Sequence, residues 1–409
     1  MKANKKNSLY LSYDGLLDPL GQSQIIPYLK CISKNDYIVN VLSFEKKSNL
    51  KIKKLKLYLN KNNIKWHYTL FTSSFGKIGK IFDLLKMFFL TLSLLKKKKI
   101  QIIHCRSHIP ALIGYILKKF FKFKLIFDFR GLWIEERFDY KIWKKNNLLD
   151  FFLFKIFKIL EVKILRSSDY IICLTNSVKP YIKKTIKKKI PIEVIPCCSD
   201  FNFFQSEKKK YCKKLIKRKL RLKKEDLVLG YCGSINEIYL IKEMILFFLF
   251  LKKKYNNLFF VFITPHQQEL KKIIDNSFNK NIYNNIKIYK SDREKIPMYL
   301  SCFDIAISFI KNKFSRIAMS PTKMFESFAM GIPFICNSGI GDVDEIIKKN
   351  KCGGIVNIKK NLYSKENINV FKKCIRIQSN FVTKRTMQLF DISFAEKKYK
   401  YIYNFLQND

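Results

Sequence analysis

Ser320-Pro321-Thr322-Lys323-Met324-Phe325-Glu326-Ser327-Phe328-Ala329-Met330-Gly331-Ile332-Pro333-Phe334-Ile335 decides the fold of this chain. The stretch reads as a loop, a short helix with one inward carboxylate, a glycine stop and a buried strand. Proline suits the first turn of a helix, where its missing N–H would have no partner anyway. The free amides of that turn make an anion site, and Lys323 adds a full positive charge beside them. Glu326, about one turn further on, can accept hydrogen bonds from two vicinal hydroxyls such as those of a ribose. Gly331 stands where a helix ends in a left-handed residue, and Pro333 keeps the helix from resuming. A phosphate site one helical turn from a diol-binding carboxylate describes a nucleotide-sugar pocket.

Outward from this segment, short apolar runs alternate with helix-period segments in both directions. Before residue 200 the predicted strands are Leu9–Tyr13, Ile38–Phe44, Lys65–Leu70, Ile100–His104, Lys124–Asp128, Tyr170–Leu174 and Ile192–Ile195. Helical patterns lie between them near Gly21–Ser33, Ile78–Lys96, Ala111–Phe120, Leu148–Arg166 and Val178–Lys187. Such strand–helix–strand order implies a parallel sheet with helices on both faces. Pro196 to Gln205 reads as a connection, after which the alternation restarts. Leu227–Cys232, Phe259–Ile263, Ile286–Tyr289, Ile305–Phe309, Phe334–Cys336 and Gly354–Val356 are the strands there. Glu237–Lys254, Gln267–Asn276, Thr322–Met330 and Val343–Asn350 are the helices between them. The expectation is an α/β chain of two doubly wound domains, with ligands bound outside the carboxyl ends of the strands.

The 409 residues are enough for two cores, and 48% of them are hydrophobic. Lys and Arg number 80 against 32 acids, a net charge of +48. That balance points to a polyanionic partner, nucleic acid or an anionic membrane face. The alternative is compositional drift, in which exposed lysines accumulate at little cost. Basic residues are spread throughout and no nucleic-acid module appears, so no nucleic-acid partner is expected. Eleven cysteines lack the spacing of a zinc or redox motif and read as small buried hydrophobes of a reducing cytosol. No signal peptide is read at the N-terminus, and the longest apolar run, Ile81 to Leu95, is too short to span a bilayer. The expected location is cytoplasmic, with peripheral attachment to the inner membrane face. Two lysine-flanked apolar stretches bear on that attachment. Leu148–Lys163 is read as core, and Lys77–Lys99 is left between core and membrane interface.

Several further segments could carry chemistry. Tyr13 to Gln24 holds Gly15, Pro19 and Gly21, a compact turn whose backbone can approach a ligand. His104 and His108 flank Cys105-Arg106-Ser107. Pro110 follows and His104 ends a strand, so shared metal ligation on a helix face is not expected. Asp128-Phe129-Arg130-Gly131 closes another strand, with Glu135 and Glu136 beyond. Arg130 either stabilises negative charge on a leaving phosphate or pairs structurally with Asp128. Gly233 and Ser234 make a second strand-to-helix nest suited to phosphate. Asp342 and Asp344 form an Asp-x-Asp pattern, but at a helix start, where an N-cap and a dipole partner are expected rather than a metal site.

With these residues in place, the chain resembles the retaining glycosyltransferases of family 4, which have the GT-B fold. The resemblance runs from the first strand to the last helix and is most specific over Ser320–Gly331. It implies two Rossmann-like domains facing across a cleft: 1–200 for the acceptor, 201–387 for the nucleotide sugar, and a helix in 388–409 returning to the first domain. It implies sugar transfer from a nucleotide diphosphate sugar with retention, to a glycan or lipid-linked acceptor in cell-surface polysaccharide synthesis. It also implies a donor site of Gly21, Gly233, Ser234, Ser320, Pro321, Thr322, Lys323 and Glu326. Arg130, Lys323 and Arg316 would stabilise the leaving group, and His104, His108 and Glu135 would lie on the acceptor side. No cofactor and no divalent metal are implied, because cations and amides take that role. Two departures stand out. Arg130 occupies a place where relatives often have histidine, and Ala318, separated from Glu326 by seven residues, stands where a sugar-reading glutamate is usual. A GT-B sugar-nucleotide epimerase or hydrolase is the rival reading, and it would need a pair of acids for proton or water chemistry.

Overall fold

Runs such as Leu125-Ile126-Phe127 leave no polar side for water, so they fit only a strand covered on both faces. The computed structural model describes residues 6–34, 37–46, 50–72, 76–144, 146–204, 209–358 and 361–408. It divides into two compact units, Met1–Pro196 with Ile392–Asp409, and Cys197–Asp391.

The first unit holds seven parallel strands: β1 (Lys6–Ser12), β2 (Tyr37–Glu45), β3 (Ile64–Leu70), β4 (Ile100–Arg106), β5 (Lys124–Phe129), β6 (Tyr170–Cys173) and β7 (Ile192–Val194). Their order is β3-β2-β1-β4-β5-β6-β7. The chain moves outward in one direction through α1 (Ile26–Ser33) and α2 (Leu50–Lys61). It then moves the other way through α3 (Gly76–Lys97), α4 (His108–Lys118), α5 (Trp133–Asp139), α6 (Leu148–Ser167) and α7 (Lys179–Ile186). Right-handed crossovers put the two groups on opposite faces of the sheet. On the second face α4 packs between α3 and α6. On the first face the C-terminal helix Ile392–Asn408 packs against α1. That helix buries Tyr399 and Tyr403, whose rings meet Tyr28 at a tilt and Tyr37 edge-on.

The second unit repeats the plan with six parallel strands in the order β10-β9-β8-β11-β12-β13. They are β8 (Leu227–Cys232), β9 (Leu258–Ile263), β10 (Ile286–Tyr289), β11 (Ile305–Ser308), β12 (Phe334–Asn337) and β13 (Gly353–Val356). Its core joins Phe247 and Phe248 to Phe260, Phe262 and Phe309. At its two chain crossings the Ser199 amide donates to the Phe390 carbonyl, and Ser199 pairs with Asp391 as an isolated bridge.

All thirteen predicted strands are present, with ends shifted by a few residues. Helices Leu50–Lys61, Trp133–Asp139, Lys209–Lys219, Lys365–Ile375 and Ser379–Phe390 had no predicted counterpart. In α2 the reason is visible. Leu55, Leu57 and Leu59 alternate with other residues at a strand-like period of two, and only Ile52 and Leu59 are buried. The core reading of Leu148–Lys163 is corrected, because Leu148, Leu149, Phe151, Phe152 and Ile159 of α6 are exposed.

Candidate nucleotide-sugar site

In the second unit the eight-residue helix Thr322–Ala329 follows the loop after β11 and precedes β12. Pro321 is the N-cap residue rather than a first-turn residue, and no side chain caps the helix. The Met324 amide donates to the Pro321 carbonyl (3.0 Å), and the open end that the anion reading requires is that of Thr322 and Lys323. At the other end Gly331 takes φ +64°. Its N–H donates to the Phe328 carbonyl (2.9 Å) and the Ile332 N–H to the Ser327 carbonyl (2.8 Å), a paired left-handed stop. The stop fixes the helix length, so Lys323 and Glu326 fall on neighbouring turns.

Lys323 reaches the glycine loop that follows β8. Gly233 has φ +145°, and a Cβ built there would lie 2.1 Å from Lys323 Cε. The Lys323 ammonium rests over the Tyr239 ring, 3.4 Å from its centroid. A ring face holds a cation without neutralising it, so the charge remains available to a phosphate. The Ser234 carbonyl accepts from the Tyr231 hydroxyl (2.6 Å), and the Ile235 amide donates to His266 Nδ1 (3.1 Å). His266, which sequence reading passed over, thus helps to shape the loop.

Gly233→Ala is expected to push the Lys323 side chain off this loop. Affinity for a nucleoside diphosphate should fall roughly 10- to 100-fold, the worth of one charge-assisted hydrogen bond, while affinity for the plain nucleoside stays put. Calorimetry with both ligands checks it, and unchanged diphosphate binding would remove the loop from phosphate recognition.

Glu326 is nearly buried, with 9% of its side chain exposed, and it is paired with Arg293 Nη1. The Arg293 guanidinium also lies over Phe203 and Phe204, 5.6 and 5.5 Å from their centroids. Arg293 was not a sequence candidate, since a lone arginine in Asp292-Arg293-Glu294 carries no motif. Ser320 is anchored by accepting from the Cys197 amide (3.1 Å). Arg316 is buried in the turn Phe314–Ala318, where its carbonyl accepts from the Gly341 amide (2.8 Å). Asp342 does take the N-cap position of Val343–Asn350, and Asp344 accepts from the Gly339 amide (2.8 Å).

In the first unit an ionic cluster lies at the carboxyl ends of β4 and β5. Asp128 is fully buried, with Arg130 Nη1 at 3.6 Å, Arg106 Nη1 at 3.8 Å and His104 Nε2 at 3.7 Å. Burial alone would raise the Asp128 carboxyl, but Arg130, His104 and Arg106 outweigh it and hold it below the usual carboxylate range. Arg130 Nη2 donates to Gln24 Oε1 (3.4 Å), and Arg106 Nε lies 3.5 Å from Asp14, whose side chain is about half exposed. Asp14 and Gln24 belong to the glycine loop and the turn after it, so the cluster links that loop to the sheet. Gly21 packs on the same loop, with a Cβ there meeting the Gly15 carbonyl at 2.1 Å. Its close backbone approach is therefore to its own chain. Two amides of the loop, Leu16 and Leu17, are held by the buried carboxylate of Glu45 (2.7 and 3.2 Å).

The three acceptor-side candidates all lie in the first unit, within its polar networks. His104 is fully buried, its Nδ1 3.2 Å from Tyr403 Oη, and burial lowers its pKa. His108 is buried too, its Nε2 2.7 Å from Glu161. Glu135 accepts from Lys158 (2.8 Å), which also bonds Glu161 (2.6 Å) and Tyr181. Burial would raise the Glu161 carboxyl, yet His108 and Lys158 hold it at about 2. The His108–Glu161–Lys158 network ties α4, α5, α6 and α7 together, while His104 Nε2, His108 Nδ1 and Glu135 Oε2 are buried without a hydrogen-bond partner.

Residues 41–203 match the family model described as Glycosyltransferase Family 4. Over 222 residues the chain is 24% identical to TuaH of Bacillus subtilis (strain 168), a protein whose name places it among teichuronic acid biosynthesis glycosyltransferases. That match covers 52% of this chain and 50% of TuaH, so the chain spans about half the length of this curated relative. Similar solved structures include sucrose-phosphate synthase from Thermosynechococcus elongatus, with TM-score 0.72, 13% identity, and coverage of 98% of this chain and 99% of that one. A glycosyltransferase from Rickettsia africae ESF-5 superposes with TM-score 0.70 and 17% identity over the whole of both chains (100% each). Anabaena HepE, solved in complex with UDP and glucose, gives TM-score 0.70 and 13% identity, covering 99% of this chain and 100% of that one. Two doubly wound parallel sheets in this order and these likenesses give the chain the GT-B fold, and its residues 41–203 are similar to glycosyltransferase family 4.

Proposed function

We propose that this protein transfers a sugar from a nucleoside diphosphate sugar to a glycan or lipid-linked acceptor in cell-surface polysaccharide synthesis, with retention at the anomeric carbon. The observation that carries the reading is the placement of Lys323 and Glu326 one turn apart on a helix with an uncapped start, with Lys323 against the Gly233 loop. HepE structures hold UDP and UDP-glucose, and the name of TuaH refers to teichuronic acid biosynthesis; both support a nucleotide donor and a glycan product.

In this reading the donor phosphates meet the first-turn amides and Lys323, and the ribose hydroxyls donate to Glu326. The bond from the anomeric carbon to the β-phosphate oxygen breaks, and the electron pair goes to the diphosphate. The acceptor oxygen bonds to the same carbon on the face the diphosphate leaves, and its proton departs with the diphosphate. Fixed positive charge at the leaving oxygen lowers the barrier because it needs no reorganisation during the reaction. Lys323 supplies it in the second unit. Arg130, held by Asp128 and Gln24, is the cation we assign to catalysis in the first unit, with the acceptor bound by that unit. The cations and amides take the place that a divalent metal fills in other transferases. Peripheral attachment to an anionic membrane face would bring a lipid-linked acceptor to the enzyme.

A panel of nucleotide sugars tests the reading. One donor should raise the melting temperature, since a ligand at 100 times its Kd adds about 2.7 kcal/mol of stability. With that donor and a lipid-linked oligosaccharide, NMR of the product should show the donor's anomeric configuration kept. Inversion would overturn retention, and free sugar formed without any acceptor product would turn the reading to hydrolysis.

A further inference from the structure

Helices α3 and α6 bury their acids and turn large apolar side chains to water. The only acids in α3 and α6 are Asp83, Asp150 and Glu161, and all three are buried. Each is held in place. Asp83 accepts from the Thr72 amide (2.9 Å) and the Tyr13 hydroxyl (2.9 Å), Asp150 from the Lys144 amide (2.9 Å), and Glu161 from Lys158 (2.6 Å) and Tyr181 (2.8 Å). These bonds fix the rotation of both helices. The outward line of α3 is then Ile81, Leu85 and Phe89, with Phe82 beside it, and Phe89 is 60% exposed. On α6 the outward line runs Leu148, Phe152, Lys155, Ile159, Lys163, with Leu148 87% exposed. Helical spacing puts these residues on one side of each helix. An ordinary surface helix does the reverse, with its apolar stripe toward the core.

Both helices lie on the same face of the first sheet, on either side of α4. Their exposed charges are cationic throughout: Lys80 and Lys86 on α3, Lys155, Lys163 and Arg166 on α6. Nucleic acid would use the cations but not the phenyl and aliphatic side chains between them. An anionic bilayer uses both, taking the apolar residues into its interface and the lysines at its headgroups. No helix among the described residues is long and apolar enough to cross a membrane, so the contact is one of lying on the surface. We infer that the α3–α6 face is a docking surface for an anionic lipid bilayer.

Both helices start near the carboxyl ends of the strands, and the exposed phenyls and leucines concentrate in their first halves. The docked bilayer therefore lies at the end of the sheet that carries Arg130. The face stands or falls apart from the sugar-transfer reading, because vesicles contain no donor.

Cosedimentation of the full chain with vesicles of phosphatidylglycerol and phosphatidylcholine tests it, at low and at raised salt. The chain should bind these vesicles and not vesicles of phosphatidylcholine alone. Phe82→Ser/Phe89→Ser/Phe152→Ser should lower the partition coefficient about tenfold or more, most clearly at raised salt, where lysine attraction is screened. Leu57→Ser/Tyr58→Ser, on exposed positions of α2 at the opposite face, should leave it unchanged. Ile81→Ser/Ile159→Ser offers the same readout should the triple variant fail to fold. Absent binding, equal loss in the α2 variant, or no loss in the α3–α6 variants would overturn the inference. So would self-association abolished by the triple variant without any vesicle binding, which would make the occupant a second copy of this chain.

Discussion

Glu326→Ala is expected to lower affinity for the donor by roughly 30- to 900-fold. A carboxylate that accepts from two ribose hydroxyls contributes about 2–4 kcal/mol through charge-assisted bonds in a largely buried setting. Nothing else on the helix can replace it, since the neighbouring positions Phe325 and Phe328 are apolar and buried. Arg293 sharpens the experiment. It occupies one side of the carboxylate, so removing Glu326 also frees a guanidinium whose side chain is 32% exposed. That cation can be solvated, so the fold should survive and the melting temperature should change little. Glu326→Gln keeps the shape and one acceptor oxygen, and should recover part of the loss. Calorimetry with the nucleoside diphosphate and the nucleoside alone reads both effects. Unchanged affinity for either ligand in Glu326→Ala would sink the ribose assignment.

Lys323→Ala should cut kcat by about 10²–10³, the usual cost of losing one preorganised charge at a developing anion, about 2.7–4 kcal/mol. Binding of the nucleoside should be nearly untouched, because the ammonium faces phosphate rather than base or ribose. Lys323→Arg is a demanding control. Its broad planar fork must fit where Lys323 Cε already lies against Gly233 and the ammonium rests on Tyr239, so only partial rescue is expected. Steady-state kinetics separate the outcomes. Equal losses in kcat and in nucleoside affinity would mean that the lysine shapes the pocket as a whole.

The strands were legible because a parallel strand covered on both faces has to be continuously apolar, and Leu227–Cys232 or Ile286–Tyr289 can be read as little else. The helix stop at Gly331 was equally plain, since only a left-handed residue closes that turn. What escaped were partnerships made across long separations. Arg293 meets Glu326 from thirty-three residues away, and Arg106 meets Asp128 only because β4 and β5 are neighbours in register. The resemblance placed His104 and His108 on the acceptor side, and nothing in their spacing showed what would cover them. The C-terminal helix and α6 close over them. The outward turn of α6 was missed for a related reason. Periodicity shows that a helix has an apolar stripe, but the rotation that decides which stripe faces water is set by Asp150 and Glu161 finding partners inside.

The place of the C-terminal helix has a consequence for how the protein is made. Tyr399 and Tyr403 are fully buried against Tyr28, Tyr37 and His104, more than 290 residues earlier in the chain. A growing polypeptide usually completes its first domain as that domain leaves the ribosome. Here the first unit emerges with one wall missing and must wait, its tyrosine-lined surface uncovered, until the whole second unit has been synthesised. Residues 197–391 can finish folding before the unit that precedes them, so the order of maturation runs opposite to the order of translation.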